Sequence, residues 1–174
     1  NFIYVTGHTY GNLNGNINLT GSRDVFICKL EDNGRKIWTK SLNSSSSIDS
    51  KSIAIDSNGY IYITGNVDGD LHGNLNTGRN DAFISKFNSN GENIWTKLIG
   101  SREDDYSNCI AIDNHGDLFI TGITKGNLDG NINQGGFDIF LAKFNKDGTK
   151  LWSNIIASKK NDENPLIAIG AHES

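Results

Sequence analysis

Apolar and polar residues along this chain fall into short runs, some strictly alternating and some apolar throughout, each closed by a glycine- or asparagine-containing turn. Runs of this kind predict β-strands, and no stretch keeps the period of an amphipathic helix. The runs also recur. "SIAID" at 52–56 returns as "CIAID" at 109–113 and "LIAIG" at 166–170, while "IYVTG" at 3–7 returns as "IYITG" at 61–65 and "LFITG" at 118–122. A long Asn/Gly connector then leads to "DVFICKL", "DAFISKF" and "DIFLAKF". A tight "EDNG", "NSNG" or "NKDG" turn leads on to "KIWTKSL", "NIWTKLI" and "KLWSNII".

The step between copies is 57 residues for Trp38, Trp95 and Trp152, for Asp24, Asp81 and Asp138, and for Lys29, Lys86 and Lys143. Gly7, Gly65 and Gly122 are spaced 58 and 57, because the first copy carries one extra residue near Leu19 or Thr20. Four strands per unit at this period predict an all-β chain folded as a β-propeller. It should comprise three four-stranded antiparallel blades, forming a partial propeller or half of an oligomeric ring. The units run approximately 1–51, 52–108 and 109–165, with 166–170 as the closing inner strand. The first two strands of each unit are apolar at nearly every position and should be buried on both faces. The last two mix in Lys, Thr and Ser and should lie nearer solvent. A solenoid is the competing architecture, but its coils are usually shorter and lack this grading.

The stretch "IAIDSNGYIYITG", a Gly/Asn linker, "DAFISKFNSNGENIWTK" and a "DDYS"-type connector together resemble the bacterial SBBP propeller repeat family. The pattern is also similar to the NHL and YVTN propeller repeats. The resemblance implies a secreted or surface-displayed protein of a bacterium or archaeon, with no shared catalytic motif. It further implies that the "IAID" strand lines a central channel and that the "IWTK" strand is outermost. Gly170 departs from the pattern, standing where Asp56 and Asp113 stand in the other copies.

On that assignment Asn1 aligns with Gly59 and Gly116, so the chain opens on a second strand and ends on a first strand. With no Met and no signal-like start, Asn1 reads as a processed or excised end. Three blades are too few for a ring. The expected partners are therefore other blades of a longer parent chain, or a second copy that docks residues 166–169 on residues 3–6 and so covers the open sheet edges.

Composition narrows the function classes. Sixteen Lys plus Arg against 20 Asp plus Glu give a net charge of −4, scattered along the chain, which argues against nucleic acid or a polybasic membrane surface. The apolar runs are strand-sized, so no membrane insertion is expected. Twenty glycines against one proline suit stacked hairpins. Cys28 aligns with Ser85 and Ala142, and Cys109 with Ser52 and Leu166, so both are read as packing positions with free thiols.

The long linkers 8–23, 66–80 and 123–137 and the connectors 43–51 and 101–108 fall on one face, where function is expected. Their oxygen-bearing residues include Asn12, Asn14, Asn16 and Asn18 in the first, Asp68, Asp70, Asn74 and Asn76 in the second, and Asn127, Asp129, Asn131 and Asn133 in the third. Alternating oxygen ligands around a glycine suit Ca²⁺, and Asn127, Asp129, Asn131 and Asn133 are the candidate calcium loop. No EF-hand glutamate follows, and the competing reading is that these side chains brace turns. The ligand-binding candidates are Asp68, Asp70, Asp104, Asp105, Asp129, Asn131 and Asn133, with a glycan or a protein as the ligand.

The remaining repeated residues read as structural. Asp24, Asp81 and Asp138 open strands, and the three tryptophans should pack between blades. The three repeated lysines should lay their stems over apolar surface with the ammonium in solvent. His8, His72, His115 and His172 occupy non-equivalent positions. No nucleophile–base spacing stands out, and the acidic stretch Glu103, Asp104 and Asp105 is the one local candidate for catalysis. The leading expectation is a non-enzymatic extracellular binding or adhesion module; the alternatives are a structural spacer and a propeller-type carbohydrate-active enzyme.

Overall fold

The computed structural model describes residues 1–13, 15 and 22–170. Asn14, Asn16, Asn18, His172 and the extra residue of the first linker lie outside the described residues. Among the described residues eleven strands form three antiparallel sheets. The first contains β1 (Phe2–Thr9), β2 (Asp24–Glu31) and β3 (Lys36–Leu42), in that order. The second runs β4 (Ile48–Ile55), β5 (Ile61–Val67), β6 (Asp81–Phe87) and β7 (Asn93–Ile99). The third runs β8 (Asp105–Ile112), β9 (Leu118–Thr124), β10 (Asp138–Phe144) and β11 (Lys150–Ile156). Each sheet is a meander of consecutive strands, and β4 packs against both β1 and β8.

The core lies between sheets. Because side chains alternate across a strand, the middle sheet sends Ile61, Ile63, Phe83 and Phe87 toward Val25, Ile27 and Leu42 of the first sheet. It sends Tyr62, Ala82 and Ile84 toward Ile110, Leu118, Ile120 and Phe140 of the third. Every residue of β5 and β6 is buried.

The turns follow from one repeated device. At the outer hairpins Gly34, Gly91 and Gly148 adopt φ of 85°, 77° and 83°. Each donates its N–H back to the residue that opens the turn: Glu31, Asn88 or Asn145. The inner turns do the same through Gly59 and Gly116, onto Asp56 and Asp113. The Asx side chain at the turn opening then takes two backbone N–H groups; Asp56 Oδ1 accepts from Asn58 and Tyr60 at 2.9 Å. Only glycine adopts this left-handed geometry without strain.

Three features depart from the sequence reading. The first sheet has three strands, and residues 166–169, which align with an inner strand, form no ladder. A first strand also begins earlier than 52 or 109. Bulges at Ser50/Ser52 and Ser107/Cys109 let β4 and β8 continue back to Ile48 and Asp105, so the unit boundaries 51/52 and 108/109 fall inside strands. Burial, finally, does not decline from the first strand outward. In the second and third sheets the second and third strands are the most enclosed, while β4 is buried at its start and half open beyond.

The bulges explain the repeated "TG" of the second strands. A Cβ on Gly65 would collide with the Asp49 carbonyl, and one on Gly122 with the Tyr106 carbonyl, both backbone atoms of the bulged strand. On Gly7 it would meet only the ring of Phe26, which can move. Gly122→Ala is therefore expected to cost about 1–3 kcal/mol by urea denaturation, with Gly7→Ala costing clearly less. Equal losses at the two positions would refute the bulge as the cause.

Candidate functional site

The two fully described long linkers fold alike, and their amides are spent internally. In the second sheet's linker, His72 and Gly73 (φ 48° and 78°) form a two-residue hairpin closed by Leu71 and Asn74. Asp129 and Gly130 (φ 52° and 84°) repeat it between Leu128 and Asn131. Positive φ at both central positions is the turn that two antiparallel strands need. Asn131 donates its amide to Leu128 O at 3.0 Å and to Ser153 O at 3.3 Å, tying the hairpin to β11. Asn133 donates to Thr124 O and Gly136 O, and Asn127 Oδ1 accepts the Asn133 N–H at 2.9 Å. Asn74, Asn76 and Asp70 make the matching bonds one unit earlier.

Asp129 is held by Lys150 at 2.5 and 2.6 Å and by the Ser153 hydroxyl at 2.6 Å. Burial works against its ionisation, but Lys150 and Ser153 outweigh it and hold the carboxyl below its ordinary value. The candidate calcium loop is thus a set of hydrogen bonds within one linker and its neighbouring strand. Among the described residues no group of three or more His, Cys, Asp or Glu side chains converges.

The acidic stretch is also bound up. Asp105 is buried, and its Oδ2 accepts from Ser101 N at 2.6 Å and Ser101 Oγ at 2.8 Å. Asp104 accepts from Asn80 Nδ2 at 3.0 Å and from the Tyr106 hydroxyl, whose pKa is raised by burial and by Asp104. Asp24, Asp81 and Asp138 are buried at the strand entrances. Asp81 Oδ2 takes the backbone N–H and hydroxyl of Thr77, and Asp138 Oδ2 takes the Gln134 N–H, so each fastens the end of a linker to its sheet. Asp81 Oδ1 is buried without a partner.

Among the seven ligand candidates, Asp68 alone borders the principal cleft, of about 540 Å³, on the linker face. Arg23, Asp49, Lys51, Asn66 and Tyr106 line it with Asp68. Asp49 is its centre. The nearly buried carboxylate meets Arg23 Nη1 at 3.1 Å, Lys51 Nζ at 3.4 Å and Asn66 Nδ2 at 3.3 Å. Asn66 Oδ1 in turn accepts the Ser107 N–H from the third sheet at 2.8 Å. Asn127 and Asn133 border a separate, shallower cleft with Arg102 and Glu103. The structure therefore does not bring the candidates together.

The residues that the sequence reading passed over share one signal: they break the repeat. Arg23 aligns with Asn80 and Phe137, Asp49 with Tyr106 and Glu163, and Lys51 with Asn108 and Pro165.

Antiparallel meanders stacked face to face at one fixed sequence step define a β-propeller repeat protein. Residues 37–72 and 94–129 match the SBBP family, a beta-propeller repeat. Each begins on an outer strand and ends in the long linker of the next sheet. The chain is also similar to the regulatory protein FlaEY of Caulobacter vibrioides, with 27% identity over 170 residues. That alignment covers 89% of this chain but 18% of FlaEY, so the chain spans less than a fifth of this relative's length.

Two measurements test the site's electrostatics and its bracing. Burial raises the Asp81 carboxyl above its ordinary value, against the pull of the Thr77 donors. The native state then holds this proton more tightly than the unfolded chain. Its stabilising contribution is complete below the unfolded carboxylate range and is lost as pH rises through the higher native value. Asp81→Asn should gain stability relative to the parent as pH rises from about 3 through the unfolded carboxylate range near 4 and above; a difference in urea midpoint that does not change with pH would contradict this. Asn131→Ala should cost about 1–2 kcal/mol through its lost bonds, while EDTA leaves the parent's melting temperature unchanged. A chelator-induced drop in the parent that is absent from the variant would make the linker a calcium loop instead.

Proposed function

We propose that this propeller segment is a non-enzymatic binding module and that the cleft around Asp49 takes a neutral polar ligand of the glycan class. The observation that carries this reading is the chemistry of the cleft. Arg23 and Lys51 both turn onto Asp49, and Asp68 supplies a second carboxylate to the wall, so two positive charges meet two negative ones and leave little net field for an ionic ligand. Asn66 and Ser107 are buried and spend their polar groups on Asp49, on Gly65 and on each other, so what remains toward the opening is the side chains of Asn80 and Asn108 and the Tyr106 ring. Such groups hydrogen-bond sugar hydroxyls and stack on sugar faces. A rigid scaffold of three sheets holds them on strand ends.

A binding role also suits a relative whose name describes regulation. Display outside the cell or on its surface, the setting implied by the repeat resemblance, is part of the same proposal, and adhesion through surface glycans is the role it would serve. The carboxylates with raised pKa at Asp81 and Asp105 are fully buried and engaged, which leaves them poor candidates for acid–base chemistry on a substrate.

The labelled chain should retain a subset of neutral glycans on an array. Lys51→Ala combined with Asp68→Ala, both at the open rim, should weaken that binding about tenfold, or about 1.4 kcal/mol, without shifting the melting temperature. Absence of any retained glycan, or binding that ignores both substitutions, would overturn the assignment.

A further inference from the structure

The two junctions between adjacent sheets join the same pair of repeat positions by different chemistry. Arg23 and Asn80 stand one 57-residue step apart, just before β2 and β6, and Asp49 and Tyr106 stand the same step apart in β4 and β8. At the first junction the pair is joined directly, Arg23 Nη1 meeting Asp49 Oδ2 at 3.1 Å. At the second junction both partners are neutral, and a third residue joins them. Asp104 stands where the first junction has Ser47. Its Oδ1 accepts from Asn80 Nδ2 at 3.0 Å, and the Tyr106 hydroxyl is drawn to the same carboxylate. Arg23, Asp49, Asn80 and Tyr106 all line the principal cleft, whereas Asp104 stands behind its wall.

Asp104 is itself held in place. Lys125 donates its N–H to Asp104 O at 2.9 Å, and the next residue, Asp105, donates its N–H to Asn80 O at 2.8 Å. Asn80 is therefore fixed against the start of β8 twice, through its backbone and through its amide. A carboxylate accepts and cannot donate, so only the NH2 end of the Asn80 amide can face Asp104. The amide oxygen is left for the opening. Tyr106 is fixed in a similar way. Its ring leans on Phe137, with centroids 5.9 Å apart and planes at 52°, and its hydroxyl is spent on Asp104. What it offers a ligand is an aromatic surface.

We propose that Asp104 is a positioning residue of the cleft: it presents Asn80 as an acceptor and Tyr106 as a stacking surface, and so selects glycans that bring a free hydroxyl beside an apolar sugar face. This inference rests on the reading of the cleft as a glycan site. A sugar hydroxyl donates to Asn80 Oδ1. The same hydroxyl capped by a methyl group has no proton to donate and leaves that oxygen without a partner. Asp104, a candidate for direct ligand contact in the sequence, thus acts through two other side chains.

The test compares the parent chain with Asp104→Ala and Asp104→Asn, the asparagine keeping an acceptor for Asn80 without the charge. Without any glycan, hydrogen exchange at the Asn80 side-chain amide is followed by nuclear magnetic resonance. It should quicken about tenfold in Asp104→Ala and return close to the parent's rate in Asp104→Asn. Unchanged exchange in an Asp104→Ala chain with the parent's far-ultraviolet circular dichroism would overturn the proposal, whatever the cleft binds. The second arm uses a neutral glycan that the parent retains and the same glycan with its hydroxyls O-methylated. The parent should prefer the free glycan by about tenfold or more. Asp104→Ala lets the amide turn its NH2 outward, so this preference should fall several-fold, while Asp104→Asn keeps it. A preference that Asp104→Ala leaves intact would also overturn the proposal. A parent that retains no glycan but shows the expected exchange would remove the glycan reading and its hydroxyl selection, while the positioning of Asn80 by Asp104 stands.

Discussion

A sheet that is apolar on both faces cannot end a stack. Everything else in this molecule follows from that constraint. The middle sheet satisfies it by turning alternate residues to neighbours on either side, so β5 and β6 contain no exposed position. At about 25 cal/mol per Å² of apolar surface removed from water, the facing side chains of adjacent sheets supply the dominant attraction. At the outer rim Trp38 and Trp95 each cover the next sheet's turn glycine, Gly91 and Gly148, while Lys29 and Lys86 donate to a carbonyl of that turn, and these contacts set how the sheets seat. Burying Lys86 lowers its pKa and costs solvation, which the carbonyl of Lys146 and the rings of Tyr60 and Tyr62 offset. Its contribution is to registration: a donor with a single carbonyl in reach aligns one blade on the next.

Polar groups serve the same end at the opposite rim. The carboxylates at the strand entrances draw linker N–H groups down onto the sheets, and Asp81 does so with one oxygen left unpartnered. A buried acid with a raised pKa weakens the fold it braces at neutral pH. What the linker gains is a fixed exit angle. From there a two-residue hairpin and a pair of asparagines hold the long connection against the outer strand. The linkers consequently behave as built structure, with backbone bonds satisfied by side chains from the same linker.

The fold was legible because every blade repeats it. Trp38, Trp95 and Trp152 at a constant step, with the recurring "TG" and Asx-x-x-Gly turns, left few architectures to choose among. The bulges were not legible: which carbonyl crowds Gly65 or Gly122 depends on a register that only pairing reveals. Grading of burial was misread for a related reason. Apolar composition marks a strand that can be covered, and β4 is covered only where a neighbouring sheet reaches it. The cleft was not legible either, because the repeat marks the oxygens of the linkers, whereas Arg23, Asp49 and Lys51 stand out only as positions where the copies disagree. Asp70, Asp129, Asn131 and Asn133 carried the right chemistry for a ligand and spend it on the chain itself.

The two SBBP matches start on an outer strand, out of phase with the sheets, and their starts are 57 residues apart. Trp38 and Trp95 both meet a glycine of one conformation at one distance range, so the junctions are interchangeable. Excising a single 57-residue period would bring Trp38 to Gly148 in place of Gly91 and keep the outer-rim contact. Unequal recombination between neighbouring copies within a gene, an error ruinous to most globular proteins, would here yield another stackable chain. The stack of sheets can lengthen or shorten over generations without passing through an unfolded ancestor.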